Sequence, residues 1–401
     1  MATFIFWMNP HLSDKILKDY QFFIINTMEK PELAKPEKKD SNVEKIKELE
    51  ELISKSRYNK KTQHAIGLYK AQLAKLKEKQ KSRSGGKKGE GYDVRKTGDG
   101  TVVLLGFPSV GKSTLLNALT NANSPVAAYA FTTLTVIPGV LEYKHAKIQV
   151  LDVPGVVHGA ASGTGRGKEV LAVIRNSDLI LIIVDVFHPE HLNALLKEVY
   201  DSDVRINQKK PDVKIVKTAR GGINIGTTVR LTKTDKKTIE DVLKEFKINN
   251  ANVIVRDDID IDQLIDVVEG NKIYLPSIVA LNKIDMVSAE ELEKAKARLK
   301  PDICISGEKK TGMAELKDLI HKRMRLMSIF LKEFNKKADM DEPLIMWEGA
   351  AIRDLCSKLH KDFVSKFKFA RVWGSSRFPG QHIPNIDYIL KNGDIIELRI
   401  K

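Results

Sequence analysis

Cysteine is nearly missing. Only Cys304 and Cys356 occur in 401 residues. Two thiols cannot build a disulfide framework or a cysteine-rich metal cluster, so a reducing, cytoplasmic setting is expected. Long hydrophobic runs are lacking too. The longest strongly aliphatic one, Leu179 to Val184, falls far short of the ~20 residues a membrane-spanning helix needs. No membrane partner is expected. The first ten residues are apolar around Phe4 and Trp7 but have no basic opening, so they do not read as a signal peptide. Acidic residues are outnumbered, 52 against 67 basic, which leaves a net charge of +15. Such an excess favours polyanions, and RNA or a ribosome is the expected contact. Charge alone does not separate RNA from DNA.

The chain is too long for one simple core, and two to four domains are expected. Residues 1–40 form an N-terminal extension, partly disordered. Within it, residues 1–27 read as an upstream segment ahead of an ordinary start at Met28. Residues 41–95 hold a charged helical hairpin and a basic linker. Ser41 and Glu44 give a capping-box signature, followed by Val43, Ile46, Leu49 and Ile53 at helical spacing. A polar break at Ser56–Thr62 precedes a second helix with Ala65, Leu68, Leu73 and Leu76. From Thr101 strands alternate with helices, the pattern of a parallel α/β sheet. Strands are predicted at 102–105, 148–151, 179–185, 277–281 and 303–305, within a domain spanning 100–325. The long gap between the third and fourth strands reads as an inserted small α/β module at about 188–272, because a structureless loop of that length would be unusual. Residues 326–401 read as strands wrapped around one helix (Ile352 to Phe363), a small α+β, ubiquitin-like domain.

Chemistry enters at Gly106 to Thr114, Gly-Phe-Pro-Ser-Val-Gly-Lys-Ser-Thr. This is the phosphate-loop pattern G-x-x-x-x-G-K-[ST], in its required place between a strand and a helix. Glycines let the backbone curl until several N–H groups face one anion, and the helix start adds partial positive charge. Gly106, Ser109, Val110, Gly111, Lys112, Ser113 and Thr114 are therefore nucleotide-binding candidates. Lys112 can reach the β and γ phosphates, and Ser113 can hold Mg²⁺. Asn282-Lys283-Ile284-Asp285 names the base. A carboxylate at Asp285 accepts from guanine N1–H and the exocyclic amine, a donor pair that adenine lacks. Asn282 braces the loops, and Lys283 lays its stem along the ring. Asp152-Val153-Pro154-Gly155 ends a strand, placing Asp152 as an Mg²⁺ ligand through water and Gly155 as a γ-phosphate sensor. Thr133, rather than Thr132 behind the bulky Phe131, is the expected third metal ligand. Ser306 opens a turn whose N–H groups would meet the guanine O6. Lys112, Thr133 and Gly155 are the catalytic candidates.

Together these five motifs, in the order they take along the chain (106–114, 131–135, 152–155, 282–285 and 306–308), resemble the developmentally regulated GTP-binding protein family, an Obg-like branch of GTPases. Further carriers are Gly-Arg-Gly (165–167), Gly-Gly-Ile-Asn (221–224), Asp-Val-Val-Glu-Gly-Asn (266–271) and Phe-Lys-Phe-Ala-Arg-Val-Trp-Gly (367–374). The resemblance covers about residues 40–401. It implies a P-loop GTPase domain with an inserted module, an N-terminal helical hairpin and a C-terminal TGS domain of β-grasp form. It also implies GTP as substrate and GDP as product, Mg²⁺, ribosome or RNA association in translation and, in eukaryotic relatives, a dedicated stabilising protein partner. Ser109 stands where Obg-like relatives often carry an Asn that helps hold K⁺, so K⁺ dependence stays open. His158 stands where the family usually has Glu.

Phosphoryl transfer needs positioning and charge neutralisation more than covalent chemistry. The position after Gly155, where many GTPases orient water with Gln, is Val156, which cannot hydrogen-bond. Slow intrinsic hydrolysis is expected. Arg166 is a candidate charge-stabilising group in cis, though a surface role suits it better. A non-catalytic GTP-dependent RNA-binding adaptor is the alternative.

Overall fold

A computed structural model describes residues 41–57, 59, 62–83, 98–120, 137–153 and 173–400. The chain divides into two compact units, residues 1–80 and 81–401.

The first unit holds the hairpin. Helix α1 (Ser41–Lys55) and helix α2 (Gln63–Arg83) meet across the predicted polar break. Asn59 and Thr62 hold the turn reciprocally: the Thr62 N–H donates to Asn59 Oδ1 at 3.0 Å, and the Asn59 N–H donates to Thr62 Oγ1 at 3.1 Å. Ile46, Ile66 and Ala71 are buried, and Lys77 pairs with Glu50 at 2.8 Å from helix to helix. Val43, expected on the apolar face, is exposed.

The second unit begins with β1 (Gly100–Leu105), α3 (Lys112–Leu119), β2 (Ile137–Tyr143), β3 (Ala146–Asp152) and β4 (Leu179–Asp185). Helix α4 (His191–Asp201) follows, then β5 (Val204–Ile206), β6 (Val213–Lys217), β7 (Ile223–Thr227), α5 (Lys236–Glu245), β8 (Ala251–Val255), α6 (Ile261–Glu269) and β9 (Ile273–Leu275). The chain then returns through β10 (Ser277–Asn282), α7 (Ala289–Leu299), β11 (Ile303–Cys304) and α8 (Met313–Arg323). These elements build a six-stranded sheet of order β11-β10-β4-β1-β3-β2. Every pairing in it is parallel except β2 with β3. All five predicted strands are present. The sixth, β2, was not foreseen, because Pro138-Gly139 punctuates it. An edge strand tolerates a residue without an N–H. Helices cover both faces. Leu195 and Val199 of α4 with Ala295 and Leu299 of α7 pack one side, and α3 with Leu316 and Ile320 of α8 packs the other.

Between β4 and β10, strands β6, β8 and β7 form a separate three-stranded sheet, while β5 pairs in parallel with β9. Helices α5 and α6 bury Ile239, Val242, Leu243, Leu264 and Ile265. Arg205 of β5 and Asp266 of α6 clasp each other bidentately at 2.6 and 2.7 Å. Both side chains are almost fully buried at this joint. Burial pushes the Asp266 carboxyl up against the pull of Arg205.

The C-terminal part contains β12 (Leu326–Leu331), β13 (Leu344–Trp347), α9 (Ile352–Leu359), α10 (Lys361–Lys366), β14 (Phe367–Trp373), β15 (Gln381–Ile383) and β16 (Ile395–Ile400). The sheet order is β13-β12-β16-β14-β15, with β12 and β16 parallel at its centre. This is the β-grasp arrangement expected. The predicted single helix Ile352–Phe363 is two: His360 turns extended, with φ −162°, and its Nδ1 accepts from the Asp362 N–H to cap α10. Lys358 of α9 reaches Asp99 at 2.9 Å and so ties this domain to the start of β1.

Candidate functional site

The carboxyl ends of β1, β3, β4 and β10 come together with the turn after β11, where ligands meet open parallel sheets. β1 is buried along its whole length, so the chain leaves the sheet abruptly at Gly106. A Cβ there would lie 2.6 Å from the Ile183 carbonyl. Gly111 opens α3 at φ 92°, and a Cβ on it would lie 2.7 Å from Asn282 Nδ2. Both positions therefore demand glycine. Ser109 also adopts positive φ, 62°. Among the described residues no side chain caps α3, so the amides of its first turn, Lys112 to Thr114, stand ready for an anion.

Lys112 folds over the loop, its Nζ donating to the carbonyls of Gly106 and Phe107 at 3.0 Å each. Burial lowers its pKa, and the nearby Asp152 charge opposes that shift. Ser113 Oγ donates to Asp152 Oδ2 at 2.6 Å. The other oxygen, Asp152 Oδ1, is buried and has no hydrogen-bond partner among the described residues. A hydroxyl and a carboxylate with a spare buried oxygen are hard donors that fit Mg²⁺. Thr133, the third expected ligand, lies outside the described residues. So do Thr132, Gly155, Val156, His158 and Arg166.

Asn282 ends β10 and joins two loops. Its Nδ2 donates to the Val110 carbonyl at 2.8 Å, and its Oδ1 accepts from the Gly307 N–H at 3.1 Å. The Gly307 amide, one of those expected to face the base, thus supports Asn282. Lys283, at φ 65°, sends Nζ to Asp185 Oδ2 at 2.6 Å. Asp185 was not singled out from the sequence. The signal was an acid closing the aliphatic run of β4, and its Oδ1 also accepts from the Phe187 N–H. Asp285 lies on the 3₁₀ turn Ile284–Met286. A hydrogen bond from Ser306 holds its carboxyl below the usual range, and Lys309 stands 4.0 Å away. Ser306 is fully buried, and its Oγ accepts from the Lys309 N–H. The arrangement offers amides and a cation for phosphates at one end and a carboxylate acceptor for a base at the other.

Residues 101–218 match a family described as 50S ribosome-binding GTPase. Residues 220–326 match the C-terminal region of that domain, and 334–400 match the TGS domain. An uncharacterized GTP-binding protein of Methanocaldococcus jannaschii is 52% identical over 363 residues, 89% of this chain and 93% of that protein. Developmentally-regulated GTP-binding protein 2 of Homo sapiens is 40% identical over 359 residues, 89% of this chain and 98% of that one. Among solved structures, the Schizosaccharomyces pombe YchF GTPase aligns with TM-score 0.41 at 14% identity, covering 76% of this chain and 99% of that chain. With its phosphate loop, its guanine-type motif and its TGS domain, the chain belongs to the developmentally regulated GTP-binding protein family of GTPases.

Proposed function

We propose that this chain binds GTP at the 106–114 loop and hydrolyses it slowly to GDP and phosphate, as a cytoplasmic switch on the ribosome or its RNA. The observation that carries the nucleotide assignment is the pair of hydrogen bonds made by the Asn282 side chain, one donated to the Val110 carbonyl in the phosphate loop and one accepted from the Gly307 N–H. It couples the segment bearing Asp285 to the loop that would hold the triphosphate. Lys112 would move from its carbonyl partners to the β and γ phosphates. Ser113 and Asp152 would hold Mg²⁺, with Thr133 closing the shell. Bound there, Mg²⁺ would neutralise charge on the phosphate oxygens. Gly155 would report loss of the γ-phosphate. K⁺ beside Ser109 belongs to the same proposal, tested by rates in K⁺ against Na⁺.

The ribosome or RNA role draws support from the net charge of +15. It also draws on cation–aromatic pairs in the TGS domain. Arg399 lies 3.8 Å over the Phe334 ring, Lys332 4.3 Å over Trp373 and Arg377 5.3 Å over Phe378. Phe334 and Phe378 are 56% and 59% exposed, so bases could stack where phosphates are neutralised. No helix among the described residues is long and apolar enough to cross a membrane.

Competition between GTP and ATP on the Mg²⁺-loaded protein tests the assignment. Asp285→Asn is expected to erode the preference for GTP, and Lys112→Ala to abolish binding or turnover. Equal affinity for ATP in the unsubstituted chain would end this reading. Val156 keeps the adaptor alternative open. Single-turnover phosphate release decides between the two, since an adaptor releases none.

A further inference from the structure

The loop after β4 runs Asp185-Val-Phe-His-Pro-Glu-His191. It makes two consecutive tight turns: the His188 N–H donates to the Asp185 carbonyl at 3.1 Å, and the His191 N–H donates to the His188 carbonyl at 3.2 Å. Such i to i+3 turns eclipse the side chains three apart. The imidazoles of His188 and His191 accordingly stack, 4.9 Å between centroids at 24°. Glu190 folds back toward His188, its Oε1 3.1 Å from His188 Nδ1. One ligand atom from each of the three lies within 4.8 Å of the other two.

His191 is the fixed member. Its ring stacks on Phe107 of the phosphate loop, with centroids 4.0 Å apart at 16°. Its Nδ1 is shut from solvent and has no hydrogen-bond partner among the described residues. His188 and Glu190 are the exposed members, with side chains 58% and 49% accessible to solvent. A tetrahedral Zn²⁺ at ~2.1 Å from each donor holds its ligands about 3.4 Å apart. Rotation of the two exposed side chains toward His191 supplies the closure. The Glu190 carboxylate offsets the positive N-terminal end of α4 for a bound cation.

We propose that His188, Glu190 and His191 form a binding site for a borderline divalent metal, Zn²⁺ foremost, on the back of the phosphate loop. Two imidazoles and one carboxylate select Zn²⁺, Co²⁺ or Ni²⁺ over Mg²⁺, which prefers oxygen alone. This site is separate from the hydroxyl–carboxylate pair of Ser113 and Asp152. A metal held there pins the ring of His191 against Phe107, whose carbonyl accepts from Lys112.

The test uses the untagged, nucleotide-free full chain in excess Mg²⁺, titrated with Zn²⁺ by calorimetry and with Co²⁺ by visible absorption. One equivalent of Zn²⁺ is expected to bind, and Co²⁺ is expected to show the intense bands of a four- or five-coordinate centre. His188→Ala and Glu190→Gln each weaken Zn²⁺ by at least about tenfold. Both replaced side chains are solvent-exposed, and circular dichroism of the zinc-free variants verifies the fold beforehand. Zn²⁺ affinity unchanged in both variants, or Zn²⁺ displaced by Mg²⁺, overturns the site.

Discussion

β4 and β8 are both middle strands, yet they are buried in opposite styles. Every residue of β4, Leu179 to Asp185, is buried. In β8 only alternate residues are: Ala251, Val253 and Val255 are inside, while Asn252 and Ile254 are outside. The difference lies in the layers. β4 has α4 and α7 on one face and α3 and α8 on the other. The β6-β8-β7 sheet is backed by α5 and α6, and its other face presents Lys214, Val216, Asn224 and Asn252. A sheet covered twice reads as a continuous aliphatic run, and a sheet covered once reads as an alternation. The covered sheet can hold its strand ends rigidly, and those ends carry the candidate site.

The contrast is broken most severely at the joint between the two sheets. Asp266→Ala leaves the buried Arg205 charge without its carboxylate partner, with an expected loss of about 3–5 kcal/mol. The double replacement Arg205→Met with Asp266→Leu removes both charges and is expected to recover most of that loss. Urea unfolding of the single and double variants checks it. A single variant as stable as the parent would show that the clasp does not hold the joint.

The next effect sharpens the contrast directly. Leu181→Ala, in the middle of β4, is expected to cost about 2–5 kcal/mol through lost burial and a residual cavity. Val216→Ala, on a side chain 45% exposed in the outer sheet, is expected to stay within about 0.5 kcal/mol. Urea midpoints read both. Equal shifts would mean that the outer face is covered in solution.

What the sequence made legible follows the same division. β4 was plain because six aliphatic residues end in an acid. The phosphate loop was plain because its constraints, such as Gly111 at φ 92°, lie within nine adjacent residues. Strand β2 was hidden by Pro138 and Gly139, since only its place at the sheet edge makes them acceptable. Strand β15 has three residues, too few for any period. Helix α9 ends at His360 because that imidazole caps the next helix, and no apolar period records it. The bond from Asn282 to Val110 spans 172 positions, and that from Lys283 to Asp185 spans 98. Motif spacing singled out Asn282 and Lys283 as candidates. It could not name Asp185 as the anchor, because that depends on β4 and β10 being neighbours in register.

The smallest expected effect separates the two regions by pH. His321 of α8 stands against the hairpin of β2 and β3, its ring edge-on to Tyr143 at 6.0 Å. Burial lowers its pKa from 6.5, helped by Lys144 and opposed by Asp318. A histidine that folding keeps neutral contributes stability in full above the unfolded value and loses it as pH falls through the folded one. In the outer module, hydrogen bonds lower Asp257, from the Asp212 N–H first, and Asp258, from the Thr232 hydroxyl first. Their contribution is complete above the unfolded value of 3.8 and fades only below it. As pH falls below 6.5, therefore, the contribution of His321 begins to fade while that of these carboxylates is still complete. Amide exchange at pH 7 and pH 5 is expected to show α8 and β2 loosening while β6 and β8 keep their protection, and His321→Gln is expected to remove the difference. Loosening that begins in β6 and β8 would reverse the order in which acid acts on the two sheets.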